Sequence, residues 1–126
     1  MEFVSETEGK EWRSIAERIL NQNDVLTLNP YRRAHSFKAE EMKRIFELDL
    51  RDIRECDIVL ANMSTMDKIP SHGTAQEMFY AHYVLKKPVI AFRPKLVRLH
   101  PFLESTSTEW VSTVEDACDL ILKEYL

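Results

Sequence analysis

Two short runs, Ile58-Val59-Leu60-Ala61 and Val89-Ile90-Ala91-Phe92, are apolar at every position. A strand with one wet face alternates apolar and polar residues, whereas an unbroken apolar run belongs to a strand shielded on both faces, as in a parallel sheet covered by helices. Around these runs the spacing changes to a helical one. Residues 10–22 place Trp12, Ile15, Ile19 and Leu20 on one side, and residues 39–55 give Met42, Ile45, Phe46, Asp49, Leu50 and Ile53 mostly at helical intervals. A helix is also predicted over residues 74–86 and another from Val114 to Tyr125, with Val114, Cys118, Ile121 and Leu122 inward. Val25–Leu28, stopped by Asn29-Pro30, is predicted to be a strand feeding a loop, and residues 109–112 a short last strand.

Strands alternating with helices predict an α/β fold: a three-layer, flavodoxin-like parallel sheet forming a single domain over residues 1–126. Ligands of such sheets lie beyond the carboxyl ends of the strands, which directs attention to the loop after Asn62. Met1-Glu2-Phe3-Val4 is at best a very short strand, so the N-terminal strand of this fold is expected to be missing or reduced. In the flavodoxin-like order that strand lies between the second and third. Three outcomes follow: Phe3 and Val4 form a stub, the flanking strands close up, or another protomer supplies the pairing.

Charge and composition narrow the function. A net charge of −4 with no Lys/Arg cluster argues against a nucleic-acid partner. No apolar run reaches the ~20 residues of a membrane helix, and the N-terminus is too acidic for a signal peptide. Cys56 and Cys118 lack CxxC spacing and suit free thiols in a reducing cytoplasm. His35, His72, His82 and His100 have no metal-ligand spacing, and neither a GxGxxG nor a P-loop occurs, so neither a metal nor a cofactor is expected.

The stretch with chemical content is Ser71-His72-Gly73-Thr74-Ala75-Gln76-Glu77. Gly73 stands where a loop turns into a helix, a position that favours positive φ and close approach of a ligand. The helix start directs free N–H groups at an anionic or electron-rich group, and Glu77 is expected in its first turn. Thr74-x-x-Glu77 is equally a capping box, in which Glu77 only satisfies backbone donors.

Asp57-Ile58-Val59-Leu60-Ala61-Asn62, then Gly73-Thr74-Ala75-Gln76-Glu77, Ala81 and Lys87-Pro88-Val89-Ile90 together resemble the nucleoside 2-deoxyribosyltransferase family. Asp49-Leu50, Trp12-Arg13, and Asn29-Pro30 with Arg32 and Arg33 are similar to further family positions; the resemblance runs from about residue 9 to 92. It implies an enzyme that cleaves or transfers the N-glycosidic bond of a small-molecule nucleoside or nucleotide, with Glu77 as nucleophile forming a glycosyl-enzyme ester. Asp49 would orient the substrate or assist proton transfer to the leaving base; the other reading is a solvated helix charge. Asn62, Ser71, His72, Gly73 and Thr74 would bind substrate, His72 otherwise being an exposed loop residue. A homo-oligomer is implied as well.

The chain departs from the family at one telling position. Transferases of the family carry an Asp six residues before the nucleophile, where Ser71 stands here. A serine there resembles the related deoxynucleoside 5′-monophosphate N-hydrolases, in which it helps bind phosphate, and a hydroxyl beside helix amides suits an anion better than a carboxylate does. The resemblance also implies a first strand bearing a tyrosine and a Gly-Pro turn; the sequence is expected to start just after that turn, Met1 being an internal methionine of a longer reading frame or the first strand being replaced by something else. Three functions therefore compete: a transferase, a nucleotide N-hydrolase, and a non-catalytic nucleotide-binding module. Arg93, Lys95 and Arg98 follow a strand end and fit either a phosphate or a solvated loop.

Overall fold

A computed structural model describes residues 6–29, 39–64, 72–94 and 101–126. Met1–Val4, Arg32, Arg33, His35, Ser71, Lys95, Arg98 and His100 lie outside them. The elements in chain order are α1 (Glu6–Gln22), α2 (Ala39–Glu55), β1 (Val59–Asn62), α3 (His72–Phe79), a π-helical turn (Tyr80–Val84), β2 (Val89–Phe92), α4 (Pro101–Glu104), β3 (Glu109–Val111) and α5 (Val114–Glu124).

The three strands form one parallel sheet in the order β1-β2-β3. Val59 lies opposite Val89 and Asn62 opposite Phe92, while Ile90 to Phe92 run beside Glu109 to Val111. Every residue of the central strand is buried, which is what its uninterrupted apolar sequence requires. Side chains then alternate between two cores. Ile90 and Phe92 join Ala16 and Leu20 of α1 and Val114, Ala117, Cys118 and Ile121 of α5. Val89 and Ala91 join Ile53 of α2, Met78 of α3, Ala81, and Met63 just past β1. Helix, sheet and helix therefore make three layers, as the spacing predicts.

Local chemistry explains several element ends. Thr113 caps α5 by accepting a hydrogen bond from the Asp116 N–H at 3.1 Å. α2 opens on Glu40 and Glu41 and has Arg54 in its last turn, charges that complement the helix dipole at both ends. The segment expected as one helix over 74–86 is α3 followed by the π-helical turn, closed by Leu85 N–H donating to the Tyr80 carbonyl at 2.9 Å. That turn inserts one extra residue per hydrogen-bonded ring and rotates everything after it.

Val25–Leu28 is not a strand. The stretch leaves α1 through Asp24, at φ 62°, and passes by without a ladder partner among the described residues. An apolar run becomes a strand only where a neighbour receives its backbone hydrogen bonds, and Leu26 is instead 88% exposed. Of the three outcomes expected for the N-terminal region, closing up of the flanking segments does not occur. Val59 and Met63 point their N–H groups at β2, donating to Pro88 and Phe92 at 3.0 Å each. By alternation Leu60 points its backbone the other way, to the edge of β1 that faces away from β2.

Both cysteines are free: Cys118 is buried and Cys56 half-buried. Burial, reinforced by Asp119 and Glu115, pushes the Cys118 thiol from an ordinary 9.0 up to about 11. A thiol that holds its proton more tightly when folded contributes stability that is full below its unfolded pKa and is lost as pH rises through the folded one. The urea midpoint of unfolding is therefore expected to fall as pH rises from 9.0 to about 11, and Cys118→Ala to flatten that fall in part. Cys56 is displaced in the same direction, chiefly by burial, and accounts for some of the remainder.

Candidate active site

A cavity of about 340 Å³ lies beside β1, along the edge that has no strand partner among the described residues. Its walls come from both faces of the sheet. Trp12, Ala16 and Leu20 of α1 line it from one side and Asp49, Asp52 and Ile53 of α2 from the other, with Ile58, Val59 and Leu60 along the strand. Val25 to Asn29 and Glu77 also border it. The stretch that does not become a strand and the edge of β1 that faces away from β2, which has no strand partner among the described residues, thus share one space.

Glu77 and Asp49 come from different helices and both border this cavity; each is half-buried. Asp49 and Asp52 stand three residues apart, on one face of α2. Asp52 is 7% exposed, a buried carboxylate that the sequence offered only as one charge among Glu47, Arg51, Arg54 and Glu55. Its signal was the i, i+3 spacing to Asp49 beside the inward residues Leu50 and Ile53. Trp12, Arg13 and Asn29, which the family resemblance also marks, line the cavity as well. Asn29 donates to the Glu17 carboxylate, and Trp12 is held edge-on against Phe92 with ring centroids 5.3 Å apart.

The other expected site residues fall elsewhere. α3 opens at His72, so Gly73 and Thr74 lie inside its first turn and Glu77 in its second, not its first. Gly73 takes an ordinary helical backbone and not the positive φ expected of it, because the helix begins before the glycine. A Cβ there would meet nothing within 4 Å among the described residues. Thr74, being within the helix, is not placed as the leading residue of a capping box. Neither Gly73 nor Thr74 borders the cavity. Asn62 uses its Oδ1 to accept from the Ser64 N–H at 3.0 Å, closing the turn after β1. Arg93 bonds Glu104 at 2.8 Å and lies over the Trp110 ring at 4.4 Å, a structural tie at the end of β2.

These features define an α/β domain with a cavity beside its parallel sheet that is bordered by the carboxylates Asp49, Asp52 and Glu77. The family model for nucleoside 2-deoxyribosyltransferases matches residues 2–118, beyond both ends of the stretch that carries the sequence resemblance. The chain belongs to the nucleoside 2-deoxyribosyltransferase family. Comparison with curated proteins found no match. No helix among the described residues is long and apolar enough to cross a membrane.

The two tryptophans are placed to report on the cavity separately. Trp12 borders it and Trp110 does not. A deoxynucleoside entering the cavity is expected to change the protein's fluorescence, a change lost in Trp12→Phe and kept in Trp110→Phe. The opposite pattern would locate binding elsewhere.

Proposed function

We propose that this chain cleaves or transfers the N-glycosidic bond of a deoxynucleoside or its 5′-monophosphate, with Glu77 as nucleophile. The observation that carries the reading is the convergence of Glu77 from α3 and Asp49 from α2 on one cavity at the sheet edge. A carboxylate oxygen of Glu77 attacks the anomeric carbon while the bond to the base nitrogen breaks, and that bond's electron pair leaves with the base. The base takes up a proton, a transfer that Asp49 assists or for which it orients the substrate. The resulting sugar–Glu77 ester is then attacked at the same carbon by water or by a second base, which releases the carboxylate. Charge building on the sugar is oxocarbenium-like, so closely held carboxylates stabilise it, and covalent capture divides one hard step into two.

Ser71 favours the hydrolytic, nucleotide-using form of this chemistry. It stands immediately before α3, whose first N–H groups have no partner within the helix, and a hydroxyl there does not repel a phosphate as the Asp of the transferases would. The family resemblance also makes a homo-oligomer part of this proposal, to be read by light scattering.

Two measurements test the reading. One deoxynucleoside monophosphate incubated with and without a second free base is expected to release its base in both cases; a new nucleotide formed only with the second base would make the protein a transferase. Glu77→Gln should lower turnover by at least about 10³-fold while leaving circular dichroism unchanged, since an amide keeps the shape and loses the nucleophile. Turnover unchanged in Glu77→Gln would end the covalent mechanism, and its absence from the wild type would leave a binding module.

Calorimetry addresses the phosphate. The 5′-monophosphate is expected to bind about 10- to 100-fold more tightly than the deoxynucleoside, the range of a charge-assisted hydrogen bond, and Ser71→Asp to abolish that advantage. Equal affinities in the wild type would remove the phosphate from the proposal.

A further inference from the structure

Lys87 lies outside the cavity, yet it ties the end of the helix that carries Asp49 to the segment that follows the helix carrying Glu77. Its Nζ donates to the carbonyls of Ile53 at 2.8 Å, Arg54 at 2.5 Å and Cys56 at 2.6 Å. An ammonium group has three protons, and here three acceptors receive them. Ile53 and Arg54 are in the last turn of α2 and Cys56 follows it directly, where the last carbonyls of a helix lack intrahelical partners and carry its negative pole. The side chain is a cation seated on a helix terminus, with no donor left over for substrate.

The route by which the chain delivers Lys87 there starts at Glu77. From α3 the backbone enters the π-helical turn and closes it with the Leu85-to-Tyr80 bond of 2.9 Å. It then reverses at Lys86, whose φ of 57° is uncommon for a residue with a Cβ. Lys87 N–H returns to the Ala81 carbonyl at 2.9 Å, and β2 begins two residues later. Removing the π insertion would rotate the helix end by about 100°, one residue's turn of an α-helix, and aim Lys87 away from α2. At the other end of the clamp, Cys56 N–H donates to the Asp52 carbonyl at 2.9 Å, so the gripped turn continues directly into the one bearing Asp52 and, three residues earlier, Asp49.

We infer that Lys87 is a positioning residue that fixes Asp49 relative to Glu77 by clamping the carboxyl end of α2 to the segment leading from α3 into β2. The inference deepens the proposed function and rests on its assignment of Asp49 and Glu77. Two carboxylates brought from separate helices keep their spacing only as well as those helices are held together. A displacement of about 1 Å at a reacting centre costs up to about 10²-fold in rate.

The test is a double-mutant cycle on turnover, with hydrogen exchange as a readout independent of activity. Lys87→Met is expected to lower kcat about 10- to 100-fold with KM changed less than about threefold, and Lys87→Arg to recover most of the loss. In an Asp49→Asn background the same Lys87→Met change should cost less than about threefold, because the group being positioned is already gone. Thr113→Ala, which loosens the cap of α5, serves as a control for destabilisation and should leave kcat in place. Amide exchange over residues 50–56 should rise at least about tenfold in Lys87→Met and not in Thr113→Ala. Equal losses of kcat in both backgrounds, or exchange over residues 50–56 unchanged in Lys87→Met, would overturn the inference. A wild type without turnover would count against the proposed chemistry, and the exchange measurement would still decide the clamp by itself.

Discussion

The burial of Val89–Phe92 on both faces is the constraint on which the rest of the molecule depends. No water reaches this strand, so all of its backbone groups must find partners, and β1 and β3 supply them in parallel register. Its side chains seed both cores at once. The residues bordering it extend that influence: Phe92 at one end holds the Trp12 ring, and Lys87 before the other end grips α2. Displacing the central strand would therefore disturb α1, α2 and the cavity between them together.

β1 has a different standing. It pairs with β2 along one edge and with no described strand along the other, and its residues are less buried than those of β2. Glu77, Asp49 and Asp52 border the space beside this second edge, and the apolar Trp12, Ala16 and Leu20 line it as well. An apolar wall beside polar groups is the usual composition of a small-molecule site.

The π-helical turn connects these two themes. A π-turn has poorer hydrogen-bond geometry than an α-turn and persists where the surrounding structure over-determines it. Its neighbours show how it is held: Ala81 is fully buried, and Lys87 meets α2 with three bonds. The exposed side of the same segment, with Phe79 against Tyr83 and Tyr83 against His82, has no such constraint. The irregularity is a consequence of having to bury one side and deliver a lysine within a few residues.

What the sequence by itself determined is whatever depends on residues close together in the chain. The apolar runs at Ile58–Ala61 and Val89–Phe92 and the helical spacing of residues 10–22, 39–55 and 114–125 are local, and each element lies where its pattern places it to within a few residues. The family was legible for the same reason, because its motifs are short and contiguous. Val25–Leu28 has a strand's composition but no ladder partner, so its fate rested on a neighbour that no local pattern encodes. The first residue of α3, the burial of Asp52, the tie between Arg93 and Trp110, and the reach of Lys87 to α2 were likewise decided by tertiary structure. Each is a contact between segments remote in sequence, and its energy comes from desolvation and geometry that exist only once both segments are in place.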